Sequence, residues 1–340
     1  MMTRRHLSAL ALIGVMLAAC GRAGAPQGGA TPGELHFAVQ SAEPAATVSD
    51  AWRPILADME RRTGLKVKLH VYAKDAAFIE AMHATSVDAG LFSNLTGLEA
   101  VRHAGGEVFA RTADPDGVDA RVSVLITGAK RGLTLDRALK CRRTLTLGMG
   151  DALSTAGALA PMTYLFAPRA IDPRTCFKDV RVGAGSGANL TAVANGRLDL
   201  AAISSATLAL NQIQGRPDAA AVTVLWSSPP LAQDPIIRRK SLDPVVKEKL
   251  RQFLLTYGQS AGADAIRARG YLAKVNIGGF KPADDSHLLP VREMEATSAW
   301  HVAKRGGDKA RIATAQSRLD EITAERVTLE ARTRAPAAAQ

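Results

Sequence analysis

Hydrophobic and polar positions alternate most clearly between residues 65 and 71. Leu65, Val67, Leu69 and Val71 fall on one face and Lys66, Lys68 and His70 on the other. A period of two predicts a strand with one solvated or edge side. The pattern changes on both flanks. Residues 47–63 carry a helical period with Gly64 just past the end, where a left-handed cap is expected. Helices are expected over 76–84 and 95–104, and strands over 35–39, 87–91 and 108–110. An apolar run from Arg121 to Thr127 predicts a strand that crosses to a second unit. There the alternation repeats, with helix 135–140, strand 144–147, helix 155–166, strand 180–182, helix 189–194, strand 198–203, helix 206–214 and strand 222–226. Pro229-Pro230 and Asp234-Pro235 bracket a return, a strand over 235–238 and helices 244–257 and 261–269. Strands and helices in turn, with short connections, imply an α/β fold with mostly parallel sheets. At 340 residues the chain is at the upper limit for one core, so two lobes are expected. We assign 34–120 with 232–295 to lobe 1 and 121–231 to lobe 2.

Both ends depart from this pattern. Over 296–331, Ile312, Ala315, Leu319, Ile322, Arg326 and Leu329 fall on a/d spacing among charged residues, which describes an amphipathic helix. Its seam packs either on its own lobe or on a second copy, making a homodimer. Residues 332–340 are expected to be a disordered tail. At the other end, Arg4 and Arg5 precede an apolar run over 7–17 that is too short to span a membrane. With it, 1–20 reads as an export signal. Leu17-Ala18-Ala19-Cys20 resembles a bacterial lipobox, which implies lipidation of Cys20 and a periplasmic protein held at the cell membrane or outer membrane. Gly, Ala and Pro dominate 21–33, a flexible tether.

Composition narrows the function. The formal net charge is +11, but the basic residues are scattered and aromatics are only 4%, which argues against nucleic acid as a partner. An anionic small solute or membrane surface suits that sign better. Cys141 and Cys176 remain beyond Cys20, as a disulfide in an oxidising compartment or as two buried thiols. Catalytic signatures are missing: there is no Gly-x-Ser-x-Gly, no His-x-x-x-His and no Gly-x-x-x-x-Gly-Lys. Gly183-Ala-Gly-Ser-Gly187 lacks the spacing of a dinucleotide loop and is read as a cleft loop. No enzyme, cofactor or metal site is expected.

The stretch with most chemistry is 147–161, Leu-Gly-Met-Gly-Asp-Ala-Leu-Ser-Thr-Ala-Gly-Ala-Leu-Ala-Pro. A strand leads through a Gly-rich turn into Ser154-Thr155 at a helix start. The first amides of a helix lack internal acceptors and sit at the positive end of its dipole, so hydroxyls there complete an anion socket. The plainer reading is that Ser154 only caps the helix. From Gly148 onward the chain resembles the substrate-binding proteins of phosphonate, phosphite and phosphate ABC importers, whose Ser-Thr-Ser-Gly turn holds the ligand's oxyanion. Residues 75–82, 87–94, 187–201 and 228–235 resemble further blocks of that family in the same order.

The resemblance implies a two-lobed type II periplasmic-binding-protein fold with hinge strands and a C-terminal helical extension. It places Ser154, Thr155, Ala156, Gly157, Asp75, Asn94, Ser186 and Asp234 at the ligand. Several positions depart from the family. Asp75 stands where an aromatic hydroxyl is expected, with Tyr72 nearby if the match slips; Gly97 replaces a second aromatic, Ala156 the third hydroxyl of the turn, and Ser186 a histidine. A carboxylate at Asp75 repels a dianion, so either it points away or the ligand carries a cation, as an aminoalkyl phosphonate does. Asp234 is the candidate second carboxylate. The expected function is a membrane-anchored solute-binding component that serves an ABC permease. The alternatives are a ligand sensor signalling to a membrane kinase and a structural envelope lipoprotein with a dead cleft.

Overall fold

The computed structural model describes residues 34–41, 45–115 and 121–334. The signal, the tether and Cys20 lie outside them, as do residues 335–340. Eleven strands form among the described residues: β1 (Glu34–Gln40), β2 (Lys66–Tyr72), β3 (Ala89–Leu91), β4 (Gly106–Ala113), β5 (Ser123–Gly128), β6 (Thr146–Gly148), β7 (Asp179–Arg181), β8 (Leu200–Ser204), β9 (Val222–Ser227), β10 (Pro235–Arg239) and β11 (Gly279–Pro282). They make two sheets, in the orders β11-β4-β10-β3-β1-β2 and β7-β6-β8-β5-β9.

The alternation over 65–71 is explained by position: among the described residues β2 pairs only with β1, in parallel, and so is an edge. One expectation needs correcting. Strand pairing is mixed rather than mostly parallel, because the returning strand β10 inserts antiparallel between β3 and β4, and β5 inserts antiparallel between β8 and β9. Each inserted strand lies next to a crossing between lobes, so the chain that changes lobe runs against the strands it joins. Strand β11 was not anticipated; its four residues hold too little apolar pattern to signal pairing.

Lobe 1 buries Leu35, Phe37, Val39, Trp52, Ile55 and Met59 between its sheet and covering helices. Lobe 2 buries Leu125, Leu147, Leu165, Phe166 and Phe177. At one side the lobes share a core: Phe78, Phe92, Leu95 and Leu98 of lobe 1 cluster with Ala160 of lobe 2 and with Leu288, Val291 and Met294. The last two belong to helix 289–306, which therefore rests on both lobes. Thr163 donates its hydroxyl to the Met294 carbonyl at 3.3 Å.

Gly307, at φ +72°, turns the chain back into helix 309–334. That helix lies on 289–306 through Ile322 and the ion pairs Arg326–Glu293 and Arg292–Glu325. Of the two packings open to the seam, on its own chain or on a second copy, the first is the one seen, and the helix runs to Arg334, past the expected start of the tail.

Cys141 and Cys176 are joined as a disulfide ahead of the parallel neighbours β6 and β7. Closing a loop with a sequence separation of 35 restricts the unfolded chain by about 3.8 kcal/mol on the chain-entropy relation. Replacing both cysteines by serine should therefore cost about 2–4 kcal/mol in denaturant unfolding, whereas an unchanged midpoint would show that the bond adds nothing.

Candidate ligand-binding cleft

Between the lobes lies a cleft of about 410 Å³. Ser154, Thr155, Ala156, Asp75, Asn94, Ser186 and Asp234 all line it; Gly157 does not. In open α/β sheets ligands settle beyond the strand carboxyl ends, where helices begin. Here helices 75–83, 94–103, 186–194 and 205–213 and the segment opening at Thr155 all start at the cleft wall.

In place of the single α-helix expected, residues 155–159 and 161–166 are wound as π-helix with Ala160 α-helical between them, the Ala160 N–H bonded to the Thr155 carbonyl and the Ala167 N–H to that of Met162. Pro161 supplies the reason. It has no N–H to offer the Gly157 carbonyl four residues back, and its ring would crowd that carbonyl in an α-helix. The Gly157 carbonyl instead accepts from the Gly150 N–H at 2.9 Å. This draws the turn before the helix against its first turn. A Cβ on Gly157 would lie 2.9 Å from both Gly150 Cα and Ser154 Oγ. The bare side of Gly157 therefore faces the preceding loop, which corrects its assignment to the ligand.

The hydroxyls are held with one function committed. Ser154 Oγ accepts the Gly157 N–H at 3.0 Å as an N-cap, and Ser186 Oγ accepts the Ser204 N–H at 3.1 Å. Thr155 Oγ1 accepts the Leu95 N–H at 2.8 Å, a bond between lobes that the sequence does not announce. Each is a lone-pair contact, so each oxygen keeps its O–H as a donor. The amides of Thr155 and Ala156 precede the first π bond and lack helical acceptors. Ser123, from the crossing strand β5, donates to the Ala156 carbonyl at 2.6 Å and fixes this end.

The carboxylates divide. Asp234 lines the cleft but is paired with Arg121, which also bonds Asp114 at 3.0 Å. Gln233 bonds the other Asp114 oxygen at 2.7 Å. This network ties the outgoing crossing to the return, and accounts for Asp234 without a ligand cation. Asp75 is different: it is fully buried, and neither carboxylate oxygen has a hydrogen-bond partner among the described residues. Burial, followed by repulsion from Asp151 across the cleft, raises its pKa to about 6. The Thr96 hydroxyl and the Lys74 charge offset this only in part. Asn94 donates to the Ala232 carbonyl at 2.8 Å and leaves its Oδ1 unpartnered.

Tyr72 stacks on Phe78, 5.2 Å between centroids, behind the wall, so it does not stand in for a cleft hydroxyl. Gly97 faces Ile237 and Pro235 in the lobe-1 core. Asp151, Arg121 and Asn276 also line the cleft and were not singled out from sequence; each reads there as an ordinary loop residue. Among the described residues, no group of three or more His, Cys, Asp or Glu could hold a metal ion.

Two α/β lobes joined by crossing strands around a cleft ringed by helix starts define a solute-binding protein of the type II periplasmic class. A family model, "ABC transporter, phosphonate, periplasmic substrate-binding protein", matches residues 37–288. The chain is 33% identical over 261 residues to the Phosphonates-binding periplasmic protein of Escherichia coli (strain K12), covering 76% of this chain and 75% of that one. A binding protein component of an ABC phosphonate transporter from Pseudomonas aeruginosa superposes with a TM-score of 0.79 at 29% identity, over 89% of this chain and 98% of that one. A Prochlorococcus marinus (MIT 9301) protein solved with methylphosphonate shares the fold, with a TM-score of 0.68 at 16% identity over 78% of this chain and 97% of that one. The chain belongs to the family of periplasmic substrate-binding proteins of phosphonate ABC transporters.

Proposed function

We propose that this protein is the lipid-anchored solute receptor of an ABC importer. Tethered through Cys20, it closes two lobes over a small oxyanion-bearing solute of the phosphonate, phosphite or phosphate kind and presents it to the permease. The observation that carries the solute site is the start of segment 155–166, where two amides without helical acceptors and the Ser154 and Thr155 hydroxyls meet the cleft. Such a start favours an anion by its dipole and its donors together. Binding and handing on need no covalent step. Thermal unfolding against a panel of oxyanions tests the reading, since a solute that binds only the folded chain must raise the melting temperature. Co-purification with a permease separates transport from sensing.

A second reading, an aminoalkyl phosphonate as cargo, is favoured by the unpartnered oxygens of Asp75 and Asn94, because an ammonium brings three donors. A homodimer through helix 309–334 would require a second copy to displace helix 289–306 from the seam. For the anchor, Cys20→Ser is expected to move the protein from the membrane fraction to the soluble one. Unchanged fractionation and mass would remove the lipid from the account.

A further inference from the structure

Asp75 is a carboxylate of the cleft that the oxyanion site does not use. It opens helix 75–83 and faces the cleft from lobe 1, fully buried, with both carboxylate oxygens unpartnered. In the same lobe the rings of Tyr72, Phe78 and Phe92 stack, the last two with centroids 3.8 Å apart, and Phe78 follows Asp75 by three residues in the same helix. Asp151 faces it from lobe 2, in the loop after β6. Two other neighbours are accounted for. Lys74 sends its ammonium to the Gly183 carbonyl at 3.3 Å, and the Thr96 hydroxyl is engaged with Ser93 at 3.0 Å and with the Leu153 carbonyl. A charged Asp75 would then share the cleft with Asp151 and with the incoming oxyanion. Like charges so placed cannot all stay ionised without a large cost.

We infer that Asp75 binds as a neutral acid, so that the complex with an amine-free oxyanion holds a proton between the Asp75 carboxyl and the ligand. Asp75 is then a specificity residue: it admits oxyanions that can share a proton and needs no amine on the cargo. The inference rests on the oxyanion site proposed above. Its pH window follows from the raised pKa of about 6 in the free protein. Below it the acid form is already present and binding is at full strength. Above it, each unit of pH leaves about one tenth as much of the competent form.

The test is calorimetric titration of methylphosphonate into the wild-type protein and Asp75→Asn from pH 5.5 to 8. Asparagine keeps the shape and a donor but cannot titrate, and the ligand's own titration cancels in the ratio of the two affinities. We expect near equality at pH 5.5 and wild-type binding about 100-fold weaker than the variant at pH 8. In the wild-type complex at pH 7, the carbon-13 resonance of the Asp75 carboxyl should be that of the acid.

A ratio that does not change with pH, or a carboxylate resonance in the complex, overturns the inference and leaves the oxyanion site standing. So does aminoethylphosphonate binding that Asp75→Asn abolishes at every pH, which assigns the carboxylate to an amine. Failure of methylphosphonate to bind the wild type even at pH 5.5 overturns the phosphonate reading along with it.

Discussion

Gly157→Asp is expected to lower the melting temperature of the unliganded protein by roughly 4–6 °C, although an aspartate in a first helical turn normally suits the dipole. The cause is contact. The new Cβ would stand 2.9 Å from Gly150 Cα, and Gly150 is held there by its N–H bond to the Gly157 carbonyl. Backbone cannot swing aside as a flexible side chain can, so the penalty belongs at about 3 kcal/mol, the upper end of overpacking costs. Calorimetric unfolding of the apo protein measures it directly. From sequence alone the bare side of Gly157 is expected to face the ligand, and the same substitution to spare folding while blocking binding. A melting temperature within 2 °C of wild type would restore that expectation and contradict the packing described here.

Thr155→Val is expected to weaken phosphonate binding about 10- to 150-fold, the loss of one hydroxyl bond to a charged group at 1.5–3 kcal/mol. Valine keeps the shape and removes the hydroxyl, whereas Thr155→Ser should retain most of the affinity. This substitution is not silent in folding. It strips the Leu95 N–H of the acceptor it has at 2.8 Å across the cleft, a buried donor whose loss costs about 1–3 kcal/mol. Because that bond joins the lobes, the variant should also populate open forms more, which small-angle scattering of the ligand-free protein can detect. Unchanged affinity in both variants would place the anion elsewhere.

Much of this arrangement was legible because it is local. Alternation over 65–71 gives an edge strand, Gly64 gives the cap before it, and the repeated strand-helix order gives two lobes. Ser154 as a cap and the cleft position of 183–187 follow from short-range signals as well. What stayed hidden depends on residues far apart in the chain. Nothing near Asp234 announces that Arg121 claims it, and nothing near Thr155 announces Leu95. The direction of β10 is set by which gap in the sheet the returning chain fills, information that its own five residues do not hold. Pro161 did carry a signal for the π-helix, but a period of 3.6 drawn through an Ala-rich segment masks it. The helix 309–334 shows the converse: its a/d seam was plain, while its partner depends on the turn at Gly307.

A crystal structure of the protein grown with methylphosphonate shows most directly whether the start of segment 155–166 holds the solute's oxyanion. Phosphonate oxygens are expected at about 2.7–3.2 Å from the Thr155 and Ala156 amide nitrogens and from Ser154 Oγ and Thr155 Oγ1. A phosphonate seated away from these atoms, for instance against Arg121 or Lys274 at the other side of the cleft, would contradict that expectation.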